Sequence, residues 1–276
     1  MKAFTGYFLA VCVSVALVAS GCGDGKSGED TYEIAVTNSY LESAARELCD
    51  DARILCLAPP GMCPGHFDLS PAQVRHLQGC RMLLLFDFQR QVEQRLTRLQ
   101  ENGLKVQLIS TPPGLCLPEA YMATCEQVCQ ILCREYPQRQ SEFQQRCSAM
   151  EGRLQKLAGE LQGAVADSGA ASTKVLVSNH QALFAEWLGL QPVATFVGSD
   201  IETAANIDHC IRQAAGQDVR FVIANRQEGT ALAEALADRL QARAVVFSNF
   251  PLTTAGVAGF DQLLRDNVQH LVEAAE

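Results

Sequence analysis

Residues 174–190 read KVLVSNHQALFAEWLGL, and this stretch decides the fold. Residues 174–178 read as a strand with Val175-Leu176-Val177 apolar at its centre. Residues 180–188 then read as a helix. A buried strand feeding a helix is half of a parallel β-α-β unit. The alternation continues toward the C-terminus, with strands at 193–196, 221–224 and 244–247 and helices at 201–215, 229–240 and 256–275. It also runs toward the N-terminus. Strands are expected at 33–37, 54–57, 82–86 and 106–110, and helices at 40–51 and 88–101. A further helix opens at Ser70-Pro71, a cap residue followed by proline at the first helical position.

Between these two alternating regions, residues 118–167 are helical in pattern. Phe143, Met150, Leu154, Leu157 and Leu161 recur at helical spacing, so a long helix spans 138–167. The fold class expected is α/β, with two Rossmann-like α/β lobes of parallel sheet joined by a long linking helix. The lobes fall at 33–137 and 171–276, and the linking helix within 138–170. Ligand crevices of open parallel sheets lie at the carboxyl ends of the strands, so the strand-end loops are where chemistry is expected.

The chain has 276 residues, 48 % hydrophobic and 19 % charged, with a net charge of −9. That is globular composition. The acidic balance excludes a nucleic-acid partner, because nothing here neutralises a run of phosphates. Twelve cysteines point away from an ordinary cytosolic enzyme. Gly-X-Ser-X-Gly, Walker-type phosphate loops and His-Glu-X-X-His are all missing from the sequence, and no paired carboxylates stand at a strand end, so no enzyme is expected.

The N-terminus accounts for the compartment. Lys2 is followed by an uncharged, mostly apolar run over 3–19, and the segment ends Ala19-Ser20-Gly21-Cys22. It reads as a signal peptide. Small residues running up to a cysteine resemble the bacterial lipoprotein cleavage site, which makes Cys22 the lipidated N-terminus and fixes the protein to a membrane of the cell envelope. Residues 23–32 are polar and glycine-rich and serve as a flexible tether. No second long apolar segment follows.

The order of segments over 33–276 resembles the zinc- and manganese-binding lipoproteins of bacterial ABC importers. Ala58-Pro59-Pro60-Gly61 with Pro64 and Ser70-Pro71 resembles the stretch that carries that family's first histidine ligand. Residues 178–190 resemble the stretch of the third ligand, with His180 in its place. Glu202-Thr203 and Arg226-Gln227-Glu228 resemble later landmarks. The resemblance implies a two-lobed, monomeric substrate-binding protein. It would hold one metal ion as cargo between its lobes and pass it to an ABC permease and ATPase. Several positions depart from the pattern. Gly65 stands where the first histidine is expected and His66 follows one residue later. Cys63 replaces an aspartate. The second histidine is missing from the loop Pro112-Pro113-Gly114-Leu115-Cys116, and the terminal acid falls around Ser248-Asn249-Phe250.

The candidate metal ligands are therefore His66, His180, Cys63 and Cys116. Two thiolates and two imidazoles suit zinc, or Cu(I) under reducing conditions, with manganese implied by the family. Two loops of the form Pro-Pro-Gly-X-Cys, at 59–63 and 112–116, present Cys63 and Cys116 alike. The same pair is also open to a disulfide in an oxidising compartment. A lost metal site with another small cargo is a second reading. A third is thiol oxidoreduction at Cys63, within Cys63-Pro64-Gly65-His66. His76, His209 and His270 read as surface or core positions. Cys125, Cys129 and Cys133 lie on one helical stripe. The stripe faces the core, pairs with Cys49, Cys56, Cys80 or Cys147, or ligates a soft metal.

Overall fold

Apolar runs become the strands. The computed structural model describes residues 33–58, 69–94, 96–198, 202–251 and 259–276. One sheet contains β1 (Ile34–Val36), β2 (Ile54–Cys56), β3 (Met82–Phe86) and β4 (Lys105–Ile109). The other contains β5 (Lys174–Ser178), β6 (Gln191–Phe196), β7 (Val219–Asn225) and β8 (Arg243–Phe247). All pairings are parallel, in the orders β2-β1-β3-β4 and β6-β5-β7-β8. The two lobes thus repeat one winding, and each sheet reverses direction between its central strands, β1 and β3 or β5 and β7. The outermost strand β6 starts two residues before the expected position and includes Pro192. An edge strand tolerates proline because one side of its ladder is unpaired.

The helices are α1 (Ser39–Leu48), α2 (Pro71–Leu77), α3 (Arg90–Gln94), α4 (Thr97–Glu101), α5 (Pro118–Glu135), α6 (Gln140–Asp167), α7 (Ala182–Trp187), α8 (Ala204–Ala214), α9 (Ala231–Leu240) and α10 (Phe260–Ala275). Local chemistry sets several starts. The Asn38 side chain accepts from Leu41 N at α1, Ser70 and Gln73 form a capping box at α2, and Thr203 accepts from Asn206 N at α8.

Strand periodicity divides the core into three clusters. Ala35, Leu83 and Leu85 face outward against Leu77, Leu96 and Leu99. Leu176, Val222 and Ala224 do the same against Cys210, Leu236 and Ala237 of α8 and α9. The remaining strand residues, such as Ile34, Leu84, Val175 and Ile223, share one continuous cluster with α1, α5, α6 and α10. The linking helix α6 has 28 residues, a length of about 42 Å. It buries Phe143, Cys147, Met150, Leu154, Leu157, Leu161 and Val165 along one stripe. Each full burial of a large apolar side chain stabilises by about 1.5–3 kcal/mol. At the junction of α5 and α10, Tyr121 stacks on Phe260 with ring centroids 4.0 Å apart, and Tyr40 meets both rings edge-on.

The structure breaks two expected helices. In place of one helix over 88–101, a 3₁₀ turn (Asp87–Gln89) is followed by α3 and α4. In place of one helix over 180–188, a 3₁₀ turn (Asn179–Gln181) precedes α7. Arg226–Glu228 makes a third such turn after β7. The reason is polar: the last residue of the first two turns, Gln89 and Gln181, is folded inward and buried at the strand ends. The tighter turn brings Gln89 Oε1 and Gln181 Nε2 to partners at the strand ends, where a continuous amphipathic helix would not bury them.

Candidate functional site

The second lobe builds its site where its sheet reverses direction. β5 ends at Ser178 and β7 at Asn225, and the turns that follow bring His180 and Glu228 together. Glu228 Oε1 lies 2.6 Å from His180 Nδ1, and Oε2 accepts from Ser178 Oγ at 2.6 Å. Hydrogen bonding and charge from Glu228 raise the His180 pKa above 6.5 despite partial burial. Burial opposes ionisation of Glu228, but the contacts with His180 and Ser178 outweigh it and hold the carboxyl below its usual range. The pairing suits an imidazole that keeps its Nδ1 proton on Glu228 and presents Nε2 as a donor pair. The His180 side chain is 58 % exposed and Glu228 only 15 %. Gly198 makes the arrangement possible: a Cβ there would stand 2.7 Å from Glu228 Cβ.

Deeper in, a thiol of the first lobe meets amides of the second. Gly114, at φ +70°, turns the β4–α5 loop, and a Cβ on it would meet Leu117 Cδ1 at 2.8 Å and Leu183 Cβ at 3.2 Å. The turn delivers Cys116 to the end of β8. Its Sγ is 3.1 Å from Ser248 O and 3.3 Å from Asn249 Oδ1, with Asn267 Nδ2 at 3.7 Å. Gln181 Nε2 donates to Asn249 Oδ1 at 2.9 Å and to Asn225 Oδ1 at 3.2 Å. Gln227 closes the network onto Ser248 Oγ and Asn249 N. Gln181 Oε1 is buried with no partner. Burial pushes the Cys116 thiol far above its ordinary value, so it stays protonated here.

The first lobe has a matching polar knot. Gln89 Oε1 accepts from Thr37 Oγ1 at 2.5 Å and from Phe86 N at 3.2 Å, with Asn38 Nδ2 at 3.3 Å. It sits at the ends of β1 and β3.

Of the expected ligands, His180 follows the end of β5, and Cys116 is packed against the residues that follow β8. They do not touch: Cys116 is buried and His180 is exposed. Cys63, His66 and the lipidation residue Cys22 lie outside the described residues. Among the described residues, no three His, Cys, Asp or Glu side chains form a metal-holding group. His270 Nδ1 lies 3.0 Å from Val246 O, away from the crevice. The cysteine stripe finds its neighbour in Cys147, not in the other candidates. Cys49 bonds to Asp51, Cys56 to Ala58 O and Cys80 to His76 O.

Sequence reasoning named Asn249 only within Ser248-Asn249-Phe250, where the resemblance expects an acid, and did not single out Gln181, Asn225 or Asn267. Amides carry no motif of their own. Their one signal is position, since each except Asn267 lies at or just after the end of an apolar strand run.

Two parallel-sheet lobes of the same winding are joined by the long helix α6, with a polar side-chain network at the strand ends. The profile of the family described as zinc-uptake complex component A, periplasmic, matches residues 116–274, more than half of the chain. The chain belongs to that family. It is accordingly an extracytoplasmic substrate-binding component of metal transport by an ABC permease and ATPase, and not an enzyme. The fold is also that of solved structures. A ZnuA crystal structure is similar at 17 % identity and TM-score 0.72, over 90 % of this chain and 100 % of that one. A ZnuA deletion mutant with zinc bound is similar at 18 % identity and TM-score 0.71, over 90 % and 99 %. A cadmium-bound periplasmic metal binding protein from candidatus liberibacter asiaticus is similar at 13 % identity and TM-score 0.74, over 89 % and 100 %. No curated protein sequence matches the chain.

Proposed function

We propose that this protein captures a metal ion between its lobes, zinc before Cu(I) or manganese, as a lipid-anchored receptor of a bacterial ABC importer. Cys22 carries the lipid, and residues 23–32 tether the lobes to the membrane. His180 and His66 supply imidazole nitrogen, and Cys63 and Cys116 supply sulfur. The protein works as a monomer.

The observation that carries this reading is the His180–Glu228 pair at the end of β5. A carboxylate on Nδ1 fixes the tautomer and raises the basicity of Nε2, the usual support of a histidine ligand. Zinc suits a mixed nitrogen and sulfur set. Cys116 enters that set only as a thiolate. The cation itself has to drive its deprotonation, since burial holds the free thiol protonated.

Native mass spectrometry of residues 23–276, before and after reduction and with zinc or Cu(I), tests the proposal. One bound ion, lost in His180→Ala, is the expected result. Binding seen only after reduction assigns Cys63 and Cys116 as ligands. No ion in either state overturns the proposed metal site. The second reading, a different small polar cargo, would then stand on the neutral amides around Gln181 and its unpartnered Oε1.

A further inference from the structure

Helices α5 and α6 form an antiparallel hairpin around the 3₁₀ turn Pro137–Arg139. Three cysteines gather in the groove between them. Cys133, one turn from the connection, faces the Gln140 carbonyl with its Sγ 3.9 Å away. One turn farther along α5, Cys129 has its Sγ 3.9 Å from Cys133 Sγ, and Cys147 of α6 lines the same groove. The groove is lined by Cys129, Cys133 and Cys147 with Glu126, Arg134 and Gln144. It lies on the helix hairpin, away from the strand-end crevice.

We propose that Cys129 and Cys147 are a redox-active pair that closes to an interhelical disulfide in the exported protein, leaving Cys133 as a third thiol beside it. The placement on facing helices selects this pair. Cys129 and Cys133 share one helix face, and their side chains run parallel, which strains a direct bond. Cys147 approaches from the opposite helix. The compartment supports oxidation, since proteins of this family work outside the cytoplasm, where disulfides persist.

The three cysteines do not form a metal-holding group. Burial first, then the neighbouring thiols, pushes Cys129 up to about 12, so the reduced groove is protonated and each attack runs through a small thiolate fraction. The product disulfide is neutral. The oxidant is an external disulfide, such as oxidised glutathione or the disulfide of an exported thiol oxidase. The thiolate of one cysteine attacks it, forming a mixed disulfide and releasing one donor thiol. The second cysteine, as thiolate, attacks the protein sulfur of that mixed disulfide. Cys129 and Cys147 lose two electrons and two protons, and the donor leaves as two thiols.

The test uses the soluble form, residues 23–276, equilibrated with oxidised glutathione, alkylated without reduction, digested and sequenced by mass spectrometry. The expected product joins Cys129 to Cys147. It persists in Cys133→Ala and disappears in Cys147→Ala. Circular dichroism of each variant establishes that it is folded. A reducible rise in Tm, present in Cys133→Ala and lost in Cys147→Ala, is the second readout. Full alkylation of Cys129 and Cys147 in folded Cys133→Ala overturns the proposal. So does a bond from either residue to a different cysteine. Because this readout needs no metal, its failure is distinct from a failure of metal capture.

Discussion

Glu228 Oε1 stands 2.6 Å from His180 Nδ1, joining the turns that follow the two central strands of the second lobe. This contact couples protonation to both stability and cargo. The folded-state pKa of His180 is raised above its ordinary 6.5. The stabilisation from the pair is therefore complete below about pH 6.5 and is lost as pH rises through the folded value. Metal capture runs the other way, because a ligand imidazole has to be neutral at Nε2. Zinc affinity is expected to fall as pH drops through the folded His180 value. In Glu228→Gln, the His180 resonance followed by NMR in the metal-free protein titrates at lower pH than in the wild type. An unchanged titration would sink the coupling.

Gly198 tests the same contact by volume. An alanine methyl would sit 2.7 Å from Glu228 Cβ and 3.2 Å from its backbone oxygen, and neither is a flexible chain end. Gly198→Ala is expected to push Glu228 off His180 while leaving both sheets intact. Disturbing the support of a histidine ligand typically weakens metal binding about 10–100-fold. Calorimetric titration with zinc, alongside circular dichroism, reads affinity and fold separately. Wild-type affinity in the folded variant contradicts the role assigned to Glu228.

Gly114 controls the delivery of Cys116. At φ +70° an L side chain is strained, and its Cβ would press on Leu117 and on Leu183 across the crevice. Gly114→Ala should cost about 1–3 kcal/mol in urea unfolding. It should also displace Cys116 from Ser248 and Asn249. Peptide-resolved alkylation at pH 8 checks this, with Cys116 protected in the wild type and labelled in the folded variant.

Phe260 tests how the lobes share one core. Its ring lies flat on Tyr121 of α5, edge-on to Tyr40 of α1, and is fully buried. Phe260→Ala should lower unfolding free energy by about 3–5 kcal/mol, the usual cost of a large aromatic cavity. Because the central cluster is continuous, both lobes should unfold together at the lower urea midpoint. Two separated transitions would show that the lobes are energetically independent.

The sequence by itself determined the fold class. Apolar strand runs such as 82–86 and 174–178, and the helical stripe from Phe143 to Leu161, are local patterns that burial enforces wherever they occur. It also placed His180 at a strand end, because the strand-to-helix transition is written in contiguous residues. Only the tertiary structure decided what His180 and Cys116 touch. Glu228 lies 48 residues from His180, and Asn249 lies 133 from Cys116. No spacing rule reaches across such separations. It likewise opened two expected helices with 3₁₀ turns, since burying Gln89 and Gln181 depends on partners from other segments. The thiol stripe shows the same division. Its helical repeat is legible in the sequence, but the choice of Cys147 as its neighbour depends on how tightly α6 folds back on α5.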